Sequence, residues 1–330
     1  MVKEQYMPKT EKLVVLMNPP YQMQSEAQKN REEFGSMQAK PIYHKFVETV
    51  IDCLNPIYLS AIVPSRWMVG GMGLSSFRER MMNDKRIKQI NHFPGENEIF
   101  PTVRIKGGVN YFLWDRGYKG TCEFNVGGTS ISRNLNEYNI IVQDNNAISI
   151  LEKVKKVSQL WISSKCLSSK PFGLPTNYSN WVESGVPCYT RGKIVKYVCP
   201  DSYTDKNNII NRWKVATSAG INPNSSGDFE VYNTLFIAEP GYICTETYIV
   251  VNAFDTQEEA ENFATYMKTR FFRFMLGIRC RTQHINTEKF AFVPDIGPYH
   301  LPITDEKLYT MFNLTRQQQT YIESKIKELK

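Results

Sequence analysis

Four consecutive residues combine groups that could do chemistry. Asn18, Pro19, Pro20 and Tyr21 directly follow the short apolar run 13–17, which reads LVVLM. The Asn18 side chain and the Pro19 carbonyl offer hydrogen-bond acceptors, and the Tyr21 ring can stack on a flat partner. Pro20 has no N–H and a fixed φ, so it stiffens the backbone between them. The pattern predicts a rigid turn that holds acceptors beside an aromatic ring.

A plain tight turn is the alternative interpretation of these four residues. Asn and Pro both favour turns, and two prolines would end a preceding strand. A ligand motif for a WW domain needs Pro-Pro-x-Tyr, whereas Tyr21 comes one residue too early.

Strands and helices alternate through the first half of the chain. The run 13–17 is typical of a strand buried on both faces. The other elements predicted here are helices over 25–34, 43–54 and 74–84, and strands over 57–63, 87–93 and 109–114. This alternation predicts an α/β fold with a parallel, doubly wound (Rossmann-like) sheet.

The pattern changes in the second half. Residues 165–233 carry aromatics, Pro, Gly and Asn without strong periodicity, which indicates loops or β structure. Helical spacing of apolar residues predicts one helix over 258–276, and a last helix from 305 that is broken near 313–315. We place a domain boundary between 128 and 165.

The sequence resembles adenine-specific DNA methyltransferases at several motifs. A strand followed by NPPY is similar to their catalytic motif. Four segments downstream of it are similar to the methylase part of type IIG restriction–modification proteins: PSRWM at 64–68, FRERM at 77–81, HFPG at 92–95 and KGGVNYFLW at 106–114. Residues 174–294 resemble their target-recognition region.

The resemblance implies roles for the motif residues. Asn18 and Pro19 would accept hydrogen bonds from the 6-amino group of an adenine flipped out of the duplex, and Tyr21 would stack on the base. A second aromatic residue would cover the other face, for which Phe100 is the better candidate and Phe93 the alternative. The methyl group would come from S-adenosylmethionine.

The family's cofactor motifs are not found beside NPPY. In the family a strand, a Gly-rich turn and an acidic residue precede NPPY, but the seventeen residues before Asn18 contain no glycine. Gly70, Gly71 and Gly73 follow a strand, yet no acidic partner lies at the expected distance, so we interpret them as a connection. We therefore expect 1–150 to be the second half of a methyltransferase domain, inactive alone and dependent on a partner chain for cofactor binding. We expect 151–300 to be a mixed α/β target-recognition domain and 301–330 a helical segment.

Basic residues predict double-stranded DNA as a partner. The formal net charge is +7, a modest excess that permits an anionic partner without requiring one. The residues expected to contact DNA are Arg66, Arg191, Lys193, Lys268, Arg273, Arg279 and Arg281. For each, a solvated surface position is the alternative.

Other functions are disfavoured by the composition. No apolar run is long enough to span a membrane, no signal peptide is seen, and the seven scattered cysteines and four histidines form no metal-binding pattern, so we expect a cytoplasmic protein without metal. No nuclease motif is evident. The interpretation favoured is a DNA adenine methyltransferase component of a restriction–modification system; the alternative is a non-catalytic DNA-recognition subunit or a truncated remnant.

Overall fold

The computed structural model describes residues 12–23, 40–71, 73–95, 97–167, 169–220, 234–281 and 284–326. The chain divides into two units, residues 1–145 and 146–330. The helix predicted over 25–34 lies outside the described residues. No described helix has the length and apolarity needed to cross a lipid bilayer.

The first unit is built on a six-stranded sheet. Its strands are β1 (Val14–Met17), β2 (Tyr58–Pro64), β3 (Ile87–Phe93), β4 (Val109–Asp115), β5 (Cys122–Val126) and β6 (Thr129–Arg133), in the spatial order β1-β2-β4-β3-β5-β6. Its helices are α1 (Tyr43–Thr49), which continues as a π-helical turn over Val50–Leu54, and α2 (Ser75–Asn83). The α/β architecture predicted from the alternation of elements is confirmed.

The sheet is mixed, which corrects the expectation of a parallel one. β1 is parallel to β2 and β3 is parallel to β5, but β4 is antiparallel to both β2 and β3. Parallel neighbours need a crossover connection, usually a helix. The described residues between β3 and β4 form turns instead, and Gly107 and Gly108 there have φ of 85° and 76°, so the chain returns antiparallel.

One face of this sheet is buried and the other carries exposed apolar side chains. Leu59, Ala61, Phe112 and Trp114 lie on the buried face, and each is at most 1% exposed. The register places four exposed apolar residues together on the opposite face: Val14, Leu16, Tyr58 and Tyr111. Leu16 is 79% exposed, on a strand that pairs among the described residues only with β2.

The second unit contains two three-stranded sheets and several helices. The strands are β7 (Val186–Thr190), β8 (Ile194–Val198), β9 (Trp213–Ser218), β10 (Leu235–Ala238), β11 (Ile243–Cys244) and β12 (Tyr248–Phe254), in the orders β11-β7-β8 and β10-β9-β12. The helices are α3 (Asn145–Val157), α4 (Gln257–Lys268), α5 (Arg270–Gly277), α6 (Asp305–Met311) and α7 (Arg316–Lys325). The break predicted near 313–315 separates α6 from α7 and is confirmed.

The single helix predicted over 258–276 is wrong, because it is two helices. Thr269 is extended, with φ −59° and ψ 150°, and its hydroxyl accepts a hydrogen bond from the Phe272 N–H at the start of α5. The Asp305 carboxylate accepts from the N–H groups of Arg270 and Phe271, at 3.0 and 2.8 Å. These bonds satisfy the free donors of a new helix start, which stabilises the break.

Lys214 is a buried cation that joins two loops of the second unit, residues 209–212 and the turn at Glu239. It is 1% exposed, and its ammonium donates to the carbonyls of Ile210, Arg212 and Glu239 at 2.7–3.0 Å, with Ile209 at 3.4 Å. Burial lowers the pKa of Lys214 to about 8. The ring of carbonyl oxygens favours the charged form, so this lysine holds the fold together.

Lys214→Met should strongly destabilise the second unit. The apolar side chain removes the hydrogen bonds of the ammonium, although the carbonyls of Ile209, Ile210 and Glu239 keep backbone N–H donors at 2.8–3.1 Å. We expect this loss to lower the free energy of unfolding by about 2–3 kcal/mol. Urea unfolding followed by fluorescence measures this. Lys206→Met, at an exposed lysine of the same unit, is the control and should unfold as the parent does. Equal midpoints for the two variants would contradict the structural role of Lys214.

Candidate active site

Two strand ends bring the candidate site together. In the parallel pairing of β1 with β2, Val14 lies opposite Tyr58 and Met17 opposite Ala61. Both strands therefore end at the same edge of the sheet, where open α/β sheets place their sites. The turn that starts at Asn18 and the turn that starts at Ser65 project from this edge.

The turn after β1 is anchored to the residues that lead into α1. The Ile42 N–H donates to the Tyr21 carbonyl and the Met23 N–H donates to the Lys40 carbonyl, both at 3.1 Å. Gln22 and Pro41 form an isolated bridge between these bonds. The anchoring fixes the backbone of Tyr21 directly beside the first residue of α1.

A buried polar network holds the turn after β2. The Ser65 hydroxyl is 2.9 Å from His92 Nδ1 and accepts from the Asn110 amide at 3.2 Å, and the Gln143 amide donates to the Ser65 carbonyl at 3.2 Å. All four residues are at most 5% exposed. Since such bonds are strong where water is excluded, the start of the Ser65–Met68 turn is held rigidly.

Aromatic rings surround Tyr21. The Tyr21 and Phe100 ring centroids are 6.5 Å apart with an interplanar angle of 65°, and Tyr43 meets Tyr21 edge-on, also at 6.5 Å. A base stacked between two parallel rings needs a separation of about 7 Å. Phe100 is thus near the required distance but tilted. Phe93 instead stacks on Tyr111 at 5.9 Å, and the stacking role of Phe100 stays a prediction.

The motif residues differ in exposure. The Asn18 side chain is exposed and makes no hydrogen bond with the described residues, Pro19 is buried and Pro20 is exposed. Tyr21 is partly buried. The Asn18 amide is therefore available to a ligand while Pro19 is packed against the unit.

Four buried polar atoms near the strand ends have no hydrogen-bond partner among the described residues: Tyr21 Oη, Tyr43 Oη, Arg66 Nε and Trp67 Nε1. Burial raises the pKa of Tyr21 and lowers the pKa of Arg66. Tyr21 therefore stays protonated at neutral pH and its hydroxyl can donate. Buried polar groups without a partner are costly, so their presence favours a ligand-binding role for this region.

Sequence reasoning missed Tyr43 as part of this site. Tyr43 is 1% exposed and packs against Tyr21 and Phe77, and its hydroxyl interacts electrostatically with the guanidinium of Arg66. Burial raises its pKa well above the ordinary value for tyrosine, and Arg66 partly offsets that effect. The available signal was an aromatic residue at the start of the helix predicted over 43–54.

The described residues at these strand ends do not fit S-adenosylmethionine. Its ribose hydroxyls need acceptors such as a carboxylate, and neither Asn18–Tyr21 nor Ser65–Met68 contains Asp or Glu. The Gly70 carbonyl accepts a hydrogen bond from Arg78 of α2 at 2.6 Å, which ties the glycine turn to its own helix. This turn connects the Ser65–Met68 segment to α2.

The residues expected to bind DNA lie in different environments. Arg66 is partly buried in the first unit. In the second unit Arg191, Lys193 and Lys268 are exposed, and Arg281 is partly buried.

Arg273 and Arg279 are buried instead, at 7% and 4% exposure. Arg273 donates to carbonyls of the turn before its helix, and the Arg279 guanidinium lies 4.7 Å from the Phe292 ring centre. Such contacts favour packing over phosphate binding, and the DNA contact expected of these two stays a prediction.

Tyr21→Phe should leave the free chain as stable as the parent or slightly more stable. The variant removes a buried hydroxyl without a described partner, so little favourable energy is lost. Tyr309→Phe is a matched control, since the Tyr309 hydroxyl is also buried without a partner among the described residues. Thermal unfolding measures both. A loss above about 1 kcal/mol for Tyr21→Phe would show that its hydroxyl has a partner within the chain.

Part of the chain is similar in sequence to known methylases. Residues 13–100 match the Eco57I restriction-modification methylase family. An uncharacterized adenine-specific methylase of Mycoplasma pneumoniae is 36% identical over 114 residues, which are 34% of this chain and 26% of that protein. The chain thus spans about a quarter of the length of this curated relative.

Two solved structures are similar at low identity. The superposition on the type IIG restriction endonuclease BpuSI covers 91% of this chain and 48% of the BpuSI chain, at 12% sequence identity and a TM-score of 0.36. The superposition on the type I restriction-modification system methyltransferase subunit from Streptococcus thermophilus covers 46% of this chain and 34% of that subunit, at 15% sequence identity and a TM-score of 0.26. The matched residues 13–100 hold β1, β2, β3, α1, α2 and the Asn18–Tyr21 turn, so the similarity to the Eco57I restriction-modification methylase family covers the candidate site.

Proposed function

We propose that this chain is the base-binding component of a DNA adenine methyltransferase in a restriction–modification system, acting in the cytoplasm. The observation that carries the proposal is the Asn18–Tyr21 turn, anchored at the end of β1 with its amide exposed and with Phe100 beside Tyr21. The family match of residues 13–100 and the adenine-specific methylase relative support it.

The chemistry follows from the acceptors of the turn. The lone pair of the adenine amino nitrogen is delocalised into the ring, which makes it a poor nucleophile. The Asn18 side-chain oxygen and the Pro19 carbonyl accept from the two amino hydrogens and draw the nitrogen towards a tetrahedral, more reactive geometry. Because these acceptors sit on a stiff turn, they need little reorganisation when the reaction occurs.

Reaching the amino group requires the adenine to leave the duplex. Tyr21 stacks on one face of the flipped base, and Phe100 covers the other after its ring turns parallel to Tyr21. The exposed Asn18 amide then lies at the edge of the bound base. Arg66, beside this pocket, would meet the phosphates that flank the flipped nucleotide.

Asn18→Ala should abolish methyl transfer in an active assembly while DNA binding is retained. Losing one preorganised hydrogen-bonding group lowers the rate about 100- to 1000-fold. Incorporation of a radiolabelled methyl group into duplex DNA measures the rate, and a gel-shift assay measures binding. Asn134→Ala, at an exposed asparagine of the same unit, is the matched control. A rate for Asn18→Ala within a few-fold of the parent would overturn the role assigned to Asn18.

A non-catalytic DNA-recognition subunit is the second candidate function. The misfit between the described strand-end residues and S-adenosylmethionine favours it, as do the exposed Arg191 and Lys193 of the second unit. Sequence-selective DNA binding without any methyl transfer, even with candidate partners added, would support this alternative.

We also propose that a further polypeptide segment pairs with β1 and supplies cofactor-binding residues. β1 lies at the edge of the described sheet, and an unpaired apolar edge invites another strand. Val14 and Leu16, at 51% and 79% exposure, give that segment an apolar surface to cover. The segment would come from a partner chain.

Leu16→Glu should reduce association through the β1 edge. The purified chain alone is expected to self-associate there, and losing a buried leucine contact should weaken the association at least about tenfold. Sedimentation velocity over a concentration series measures it. Leu301→Glu, at a leucine of the second unit that is 68% exposed, is the control and should associate as the parent does. Identical behaviour of all three proteins would contradict the proposal for this edge.

A further inference from the structure

In the β7–β8 hairpin β8 is exposed where an ordinary edge strand would be half-buried, whereas β7 is partly buried. Four of the five residues of β8 are exposed, including Ile194 at 59%, Val195 at 38% and Tyr197 at 41%. Neighbouring residues of a strand point to opposite faces, so both faces of β8 are open. Apolar side chains exposed on both faces of a strand suit an element that enters a groove of a partner.

The tip of this hairpin is held in one conformation by a buried tyrosine. The Lys193 N–H donates to the Tyr248 hydroxyl at 2.8 Å, and that hydroxyl donates to the Thr190 carbonyl at 3.0 Å. Tyr248 lies on β12, is 3% exposed and packs edge-on against Phe236. The Thr190 hydroxyl also donates to the Ile194 carbonyl at 2.9 Å. The tip is therefore tied to the core of the unit.

The tip backbone is unusual in a way that also indicates function. Gly192 has φ of 78°, which glycine adopts freely, but Lys193 has φ of 60°, which is strained for a residue with a side chain. Such conformations persist where the surrounding structure holds them, and they cluster at functional sites. Here the two Tyr248 bonds hold the strained residue.

The charged side chains of the β7–β8 hairpin are all positive. Arg191, Lys193 and Lys196 are exposed, and the stretch 186–200 contains no acidic residue. None of the three forms an ion pair with a described residue, and Lys196 lies 5.1 Å from the Trp181 ring centre. β11 pairs with β7 at Cys188 and Tyr189 and Val182 pairs with β8 at Tyr197, so the hairpin is a two-stranded ribbon at its tip, residues 190–195. Such a rigid, basic tip complements duplex DNA, whose major groove admits a two-stranded ribbon and whose phosphates supply the negative charge.

We propose that the β7–β8 hairpin enters the major groove of duplex DNA, with Arg191 and Lys193 at base edges, Lys196 on a phosphate and Tyr248 as the positioning residue of the tip. The proposal rests on the proposed function in taking DNA as the ligand, and it identifies the element that reads the sequence. Base contacts carry specificity and phosphate contacts carry general affinity, so the residues have separable effects.

The test uses the full chain and two probes. The first is a fluorescein-labelled duplex of mixed sequence, titrated at several salt concentrations. The second is a pool of duplexes with a randomised central stretch, whose bound fraction is sequenced. The variants are Arg191→Ala, Lys196→Ala and Tyr248→Phe, and Lys206→Ala at an exposed lysine of the same unit is the control.

Each variant has its own expected signature. Lys196→Ala should weaken binding to all sequences alike and lower the salt slope by about one. Arg191→Ala should reduce the preference for the enriched sequences about tenfold to a hundredfold. Tyr248→Phe keeps every positive charge, so the salt slope should stay while the sequence preference falls. A merely structural role of Tyr248 would instead lower the melting temperature and the affinity for both probes together.

The result that overturns the proposal is unchanged affinity, salt slope and sequence preference in Arg191→Ala and Lys196→Ala. The hairpin would then serve a different partner, such as an acidic protein surface. This failure is distinct from failure of the proposed function, because Asn18→Ala tests methyl transfer and does not touch the hairpin. A chain that binds neither probe also overturns the proposal.

Discussion

The parallel pairing of β1 with β2 is the constraint on which the candidate site depends. Because the two strands run in the same direction, their carboxyl ends lie at one edge of the sheet, and the turn after Met17 starts beside Ala61, three residues before β2 ends at Pro64. A shift of the register by one residue would turn Leu59 and Ala61 away from the buried face. The buried face of the sheet therefore also fixes the position of Asn18.

The rigidity of the site comes from polar groups buried behind it. Ser65, His92, Asn110 and Gln143 contribute hydrogen bonds from four different segments to the start of one turn. Leaving a single one of these groups unpaired would cost about 1–3 kcal/mol, so the network favours one arrangement of the turn. Arg66 and Trp67, which follow Ser65 directly, are held in place as a result.

The sequence predicts the elements near the motif well, because their signals are local. An apolar run ended by two prolines gives β1, and apolar spacing gives α1 and α2. The break at Thr269 is not predictable in this way, since the Asp305 carboxylate that stabilises it lies 36 residues further along the chain. The antiparallel direction of β4 likewise depends on how residues 94–108 turn back, which apolar periodicity does not report.

Positive charge in the sequence is also a poor measure of binding surface here. In the linear sequence Arg212 and Lys214 lie close to Arg191 and Lys193. In the structure Lys214 binds backbone carbonyls in the interior and Arg212 pairs with Asp255, whereas Arg191 and Lys193 are exposed on a hairpin tip without an ion pair to a described residue. The N–H donors of a buried cation bond to groups of the fold, whereas those of an exposed cation are open to a ligand. The distinction rests on hydrogen-bond partners and burial, which the linear sequence does not contain.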